Sequence, residues 1–136
     1  MNLELSEKQK NIRDNILQWY KDHSQQYITF GGYAGTGKTT LLGNIGQFLH
    51  IENKKIKIAY CSYTGKAARV LQRKLREANS LNSSDYIGTI HGLIYKAICD
   101  EQDNIIGWEK KSTDEFNYDL IIIDEASMIT SQIWDD

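Results

Sequence analysis

Eight consecutive residues constrain this chain more than any others: Gly32-Tyr33-Ala34-Gly35-Thr36-Gly37-Lys38-Thr39. They meet the spacing G-x-x-x-x-G-K-[ST] at every fixed position, a loop whose backbone N–H groups turn inward around phosphate oxygens. Glycine allows the backbone angles this needs, and a helix opening at the loop's end adds its positive dipole end. The flanks agree. Tyr27-Ile28-Thr29-Phe30 reads as a short buried strand before the loop, and Leu41, Leu42, Ile45, Phe48 and Leu49 follow it at helical spacing. In such a loop Lys38 reaches the β- and γ-phosphates and the Thr39 hydroxyl holds Mg²⁺. Gly32, Gly35, Thr36, Gly37 and Thr40 complete the expected nucleotide cradle. A glycine-rich turn with a chance lysine is the plainer reading, and the strand-loop-helix context argues against it.

The rest of the chain alternates in the same way. A helix is expected over 6–22, capped by Ser6, with Ile12, Ile16, Trp19 and Tyr20 on one stripe. Ile56-Lys57-Ile58-Ala59-Tyr60 reads as a second strand. Thr64-Gly65 open a third helix marked by Ala67, Val70, Leu71, Leu75 and Ala78. Thr89 caps a shorter one carrying Ile90, Leu93, Ile94, Ala97 and Ile98, and residues 100–118 read as a polar, aperiodic loop around Trp108. Leu120-Ile121-Ile122-Ile123 is the strongest strand, a run suited to a parallel strand covered on both faces. Thr130-Ser131 look like a further helix start. Strands alternating with helices imply an α/β fold with a parallel sheet.

Directly after that strand come Asp124 and Glu125. Ligands of open α/β sheets bind at the carboxyl ends of the strands. Asp124 is therefore the candidate Mg²⁺ ligand, and Glu125 the candidate group to orient or deprotonate an attacking water. A solvated acidic pair at a strand end is the bland alternative. The adjacent glutamate favours hydrolysis over transfer to a second substrate.

Composition excludes several classes. A chain of 136 residues has room for one ordinary domain. Its 40% hydrophobic and 25% charged residues are those of a globular protein. Sixteen Lys and Arg against eighteen Asp and Glu give a net charge of -2, which rules out a uniformly basic coat but not a local basic stripe. The longest apolar run falls far short of the about 20 residues that cross a bilayer. The first residues carry no signal-peptide pattern, and two cysteines make neither a disulfide framework nor a zinc site. A soluble, cytoplasmic protein without a membrane partner is expected. Proline is absent where average usage of about 5% would place roughly seven, so turns must rely on Gly, Asn, Asp and Ser.

The order of the segments resembles a known family. Walker A (32–39), Cys61-Ser62-Tyr63-Thr64-Gly65-Lys66-Ala67-Ala68, Gly88-Thr89-Ile90-His91-Gly92-Leu93 and Walker B (120–125) are similar to motifs I, Ia, Ib and II of superfamily-1B DNA helicases, most of all the RecD and Dda type. The resemblance runs from about Leu5 to Met128. It implies a P-loop NTPase with a RecA-like three-layer fold that uses ATP and Mg²⁺ to move along single-stranded DNA. It makes Lys38 and Glu125 the catalytic pair, and Thr39 and Asp124 the metal ligands. Thr64, Lys66, Thr89 and His91 become DNA contacts. The family's adenine-contacting glutamine falls on Gln9, although Ser6-Glu7-Lys8-Gln9 is also a literal capping box. Lys66, Arg69, Arg73 and Arg76 share one face of the third helix, a phosphate track or simply a solvated charged face.

What the resemblance lacks is equally specific. Nothing after Ser127 resembles motif III, and no second RecA-like domain follows with its arginine finger, worth roughly 10³ to 10⁵ in rate. The strand that follows Walker B in such sheets, and lies between the Walker-A and Walker-B strands, is missing. Residues 1–136 are thus expected to be a partial RecA-like ATP-binding domain whose partners are single-stranded DNA and the rest of its own chain. Such a part would bind nucleotide, hydrolyse it poorly and unwind nothing. Two other readings stay open: a P-loop ATPase that never touches DNA, and an inert nucleotide-dependent interaction module.

Overall fold

Parallel pairing dominates the centre of the computed structural model, which describes residues 4–33 and 35–136. The chain divides into two units: the residues up to Lys54 together with Arg73–Leu81, and Lys55–Gln72 together with Asn82–Asp136.

In the first unit, α1 (Glu7–Asp22) starts at Ser6, whose side chain accepts the Gln9 N–H while the Gln9 side chain accepts the Ser6 N–H. Both halves of the capping box are thus made. His23 ends the helix in the left-handed conformation (φ 51°), its N–H bonded to Trp19 O. Ile16 is buried and Ile12, Trp19 and Tyr20 are half-buried, as the apolar stripe requires. The second helix, α2 (Lys38–Glu52), buries Leu41, Leu42, Ile45 and Leu49. Phe48 sits at its margin, with the Arg13 guanidinium 4.7 Å above its ring. Gly43 permits a close approach, since a Cβ there would stand 2.9 Å from Ser80 Oγ.

The expected strand before the phosphate loop does not form. Residues 27–30 join no ladder, with Tyr27 57% and Ile28 37% exposed. A strand exists only through a neighbour that takes up its N–H and C=O groups in a ladder, and this segment is part of neither sheet among the described residues.

The second unit holds a three-stranded parallel sheet in the order β2-β1-β5. Central β1 (Ile58–Ser62) is buried along its whole length and pairs with β2 (Tyr86–Thr89) on one side and β5 (Leu120–Ile123) on the other. The strand therefore lies two residues later than the expected Ile56–Tyr60. Carboxylates distant in sequence set its start: Asp119 accepts the Lys57 N–H and Asp85 the Ile58 N–H. Strand β5 forms where expected but is not covered on both faces. It ends the sheet among the described residues, and Ile122 is buried while Ile121 is 40% exposed. Ala59, Cys61, Ile90 and Leu93 make a core against one side of the sheet, joined by Tyr86, Tyr118 and Ile123.

Helix α3 (Gly65–Glu77) buries Ala68, Leu71 and Leu75 at i, i+3 and i+7. Val70 and Ala78, expected on that face, are exposed. Its last residues belong to the first unit. Helix α4 (Ile90–Ile94) is four residues shorter than expected, because Ala97 and Ile98 lie in β3 (Tyr95–Cys99). Antiparallel to β3 runs β4 (Ile105–Lys110), so residues 100–118, expected as a loop, hold half of a hairpin and a 3₁₀ turn at Thr113–Glu115. The hairpin's turn is organised by Asp100, whose carboxylate accepts the N–H groups of Gln102 and Asn104 and the Asn104 amide. After β5, a 3₁₀ turn (Ala126–Met128) leads to α5 (Ser131–Asp135), whose cap Thr130 accepts the Ile133 N–H. None of the helices among the described residues is long and apolar enough to cross a membrane.

Candidate functional site

The phosphate loop belongs to the first unit, and Ala34 within it lies outside the described residues. Gly35 (φ 78°) and Gly37 (φ 81°) both take the left-handed conformation, and Gly37 leads directly into α2. The first N–H groups of that fifteen-residue helix, at Lys38, Thr39 and Thr40, have no acceptor within their own helix. Two glycines are also required by space. A Cβ at Gly32 would stand 2.8 Å from Thr36 Oγ1, and one at Gly37 2.6 Å from Gln9 Nε2. The loop is braced across its width: Lys38 Nζ donates to Gly32 O at 2.7 Å and Thr36 Oγ1 to Tyr33 O at 2.7 Å.

Gln9 serves this loop as well as the helix cap. Its Oε1 accepts the Ser6 N–H at 2.9 Å and its Nε2 donates to Thr36 O at 3.0 Å. One side chain thus ties the start of α1 to the phosphate loop. At Gly37 it is the left-handed backbone angle, more than the movable Gln9 amide, that excludes a side chain.

In the second unit the remaining candidates meet at one edge of the sheet. Parallel strands end together: Thr64 lies two residues beyond β1, Thr89 is the last residue of β2, and Asp124 is the first beyond β5. The Asp124 N–H donates to Cys61 O at 2.9 Å, carrying the ladder one residue past β5. Asp124 is half-buried and its Oδ1 accepts the Glu125 N–H at 3.1 Å. Glu125 is exposed and stands at φ 59°, a left-handed conformation that is rare for a residue with a side chain. Such strain clusters at functional positions, and here it turns the chain sharply away from the strand.

Thr64 Oγ1 accepts the Ala67 N–H at 3.2 Å, which fixes the start of α3 and leaves Lys66 exposed beside it. Arg69, Arg73 and Arg76 are exposed along the same helix. Thr89 Oγ1 caps α4 by accepting the Gly92 N–H at 3.0 Å. The His91 ring lies against two aromatics, 4.6 Å from Tyr95 and 4.8 Å edge-on to Trp108. Sequence reasoning left both aromatics unassigned, and the hairpin that brings Trp108 there was not foreseen. The phenol of Tyr86 donates to Thr89 O at 3.0 Å. Burial first, then Cys61 and Tyr118 beside it, pushes this phenol up to about 12. Burial likewise raises the Cys61 thiol to about 12, so this cysteine is chemically inert at neutral pH.

Sequence reasoning also missed Ser62. It is 1% exposed, and its Oγ has no hydrogen-bond partner, a state shared among the described residues with Asn44 Oδ1, Tyr60 Oη and Ser80 Oγ. Within the second unit the Asp124 carboxylate and the orphaned hydroxyl of Ser62, the last residue of β1, are hard oxygen groups of the kind that suit Mg²⁺.

An uncharacterized protein of Acanthamoeba polyphaga mimivirus, R530, is 26% identical over 141 residues. The match covers 95% of this chain and 28% of that protein, so the chain spans little more than a quarter of its relative's length. The family model described as AAA domain (AAA_19) matches residues 18–135, from the end of α1 through the phosphate loop and the acidic pair to α5. The chain belongs to this AAA domain family, a P-loop ATPase type.

Proposed function

We propose that this chain is the ATP-binding and ATP-hydrolysing motor part of a superfamily-1B DNA helicase, acting on single-stranded DNA within a longer protein. The observation that carries the reading is the shared carboxyl edge of β1, β2 and β5, where Thr64, Thr89 and Asp124 stand together. That edge is where ligands of parallel sheets bind, and the three positions belong to the three segments that resemble motifs Ia, Ib and II.

In this reading Lys38 exchanges Gly32 O for the β- and γ-phosphate oxygens, and the N–H groups of Gly37 to Thr40 surround the phosphates. Thr39 and Asp124 would be the residues to hold Mg²⁺, which would supply neutralisation of charge on the phosphates. Glu125 orients the attacking water and takes its proton. Gln9, already bonded to the loop, would reach adenine by giving up its bond to Thr36 or Ser6. Lys66, with Thr64, Thr89 and His91, contacts the DNA backbone, and Arg69 extends that track. The arginine finger and the second RecA-like domain come from the rest of the chain, so this part alone turns over ATP slowly and unwinds nothing.

ATP hydrolysis by the full parent protein, measured with and without single-stranded DNA, tests the reading. Stimulation by DNA and its loss in Lys66→Ala are expected. DNA-blind turnover supports the second reading, a P-loop ATPase that never touches DNA. Lys38→Ala should abolish nucleotide binding by the 136-residue chain. Unchanged affinity in that variant overturns both readings.

A further inference from the structure

Strand alternation separates the side chains of β1 into two sets. Ala59 and Cys61 face the core formed with Ile90 and Leu93, and so does Ile123, the register partner of Cys61. The next pair in that register is Ser62 and Asp124, held in line by the bond from the Asp124 N–H to Cys61 O. Both therefore project to the opposite side of the sheet from Cys61 and Ile123, as neighbours on adjacent parallel strands. Ser62 brings a hydroxyl that is 1% exposed and has no hydrogen-bond partner.

From this juxtaposition we infer that Ser62 is a positioning residue for the metal site: its hydroxyl orients the Asp124 carboxylate, directly or through a metal-bound water. The inference rests on the reading that Asp124 holds Mg²⁺. A buried hydroxyl without a partner is a defect unless something completes it. A metal-binding carboxylate is oriented by the donors to its oxygens, and such donors tune affinity strongly; the Glu125 N–H is one donor to Asp124, and Ser62 adds a second. Ser62 is the orphaned group that the register sets beside Asp124. Tyr60 faces the same way one step deeper, and Asn44 and Ser80 belong to the other unit. Burial keeps bulk water from competing for the hydroxyl, so it stays available to a metal-bound ligand.

The test uses the 136-residue chain with ADP and Mn²⁺ as the probe metal, free Mn²⁺ being read by electron paramagnetic resonance. Ser62→Ala should weaken Mn²⁺ binding to the nucleotide-loaded chain about tenfold, at the low end for such outer partners. Binding of a fluorescent ADP analogue in EDTA should be unchanged, and Ser62→Thr, which keeps the hydroxyl, should restore the metal affinity. Should Ser62→Ala lose its cooperative thermal transition, the nearly isosteric Ser62→Cys carries the same comparison. Mn²⁺ affinity within twofold of the parent in the folded hydroxyl-free variant overturns the inference, and so does a Ser62→Thr variant as weak as Ser62→Ala. If the parent chain binds no nucleotide, or Lys38→Ala leaves its affinity unchanged, the functional reading falls and the inference with it. If those controls behave as expected and only Ser62→Ala is silent, the inference alone falls.

Discussion

Tyr27-Ile28-Thr29-Phe30 and Ile58-Ala59-Tyr60-Cys61 both read as strands in the sequence, and they meet opposite fates. The second segment is the buried centre of a parallel sheet, while the first lies in neither sheet, with Tyr27 and Ile28 exposed. Propensity favours the first, whose four residues are all β-branched or aromatic, while Ala59 is a poor strand former. What differs is the neighbourhood: β1 has β2 on one side and β5 on the other, and two carboxylates to start it. A strand is a property of pairs, and β-propensity measures how well a side chain fits a surface that others have built.

The sharpest way to break the comparison is proline. In the middle of a paired strand it removes a ladder N–H and introduces a clash, a loss of about 3 kcal/mol or more. Ala59→Pro should leave the chain without a cooperative unfolding transition, whereas Thr29→Pro should shift stability by no more than about 0.5 kcal/mol, the scale of an ordinary surface change. Denaturant melts read by circular dichroism check both. Unfolding by Thr29→Pro would mean that 27–30 is paired after all.

A smaller contrast lies just beyond the first segment. Gly31 and Gly37 bracket the phosphate loop, and a Cβ at Gly31 meets nothing within 4 Å. At Gly37 it meets the Gln9 amide, at a backbone angle that strains any side chain. Gly37→Ala should therefore lower stability by about 1–3 kcal/mol and nucleotide affinity with it, while Gly31→Ala should change neither. Melts and fluorescent-nucleotide titrations separate the outcomes.

The mildest effect concerns the hairpin, a pairing without burial. Its Asp100 carboxyl is held below the ordinary aspartate range, chiefly by the bonds from Asn104 and then by that from Gln102. Because the folded value is the lower one, the stabilisation is complete above the unfolded value of about 3.9 and disappears as pH falls through the folded value. The protection of the Asn104 amide against exchange, taken relative to the intrinsic rate at each pH and followed by NMR, should fall in that acid window and stay constant above about pH 5. Loss of protection already near neutrality would break the assignment to Asp100.

Local chemistry was legible in the sequence where a short spacing decides it. The loop at 32–39, the capping box at Ser6 and Gln9, the cap at Thr89 and the strand at 120–123 all depend on residues within a few positions of one another. Long-range features were not legible. The start of β1 is set by Asp85 and Asp119, 27 and 62 residues away from their partners. Strand β2 is four residues long with a glycine inside, too little to stand out. The hairpin was hidden by coincidence: Ile90, Leu93, Ile94, Ala97 and Ile98 fit a helical period, although the chain leaves the helix at Ile94. The turn residues Asp103-Asn104 were the available signal. For the candidate site the motif residues were readable, but the role of Gln9 in the loop, the rings around His91 and the orphaned Ser62 emerge only in three dimensions.

One contact also limits how this sequence can drift. The Tyr86 phenol reaches Thr89 by folding across two glycines, and a Cβ would stand 2.5 Å from its oxygen at Gly88 and 2.9 Å at Gly92. A methyl group at Gly88 would force the ring aside, and one at Gly92 would press on its hydroxyl, so either change disturbs the bond to Thr89. Bulk at these three positions is therefore coupled: a smaller residue at 86 relieves the constraint on 88 and 92 together.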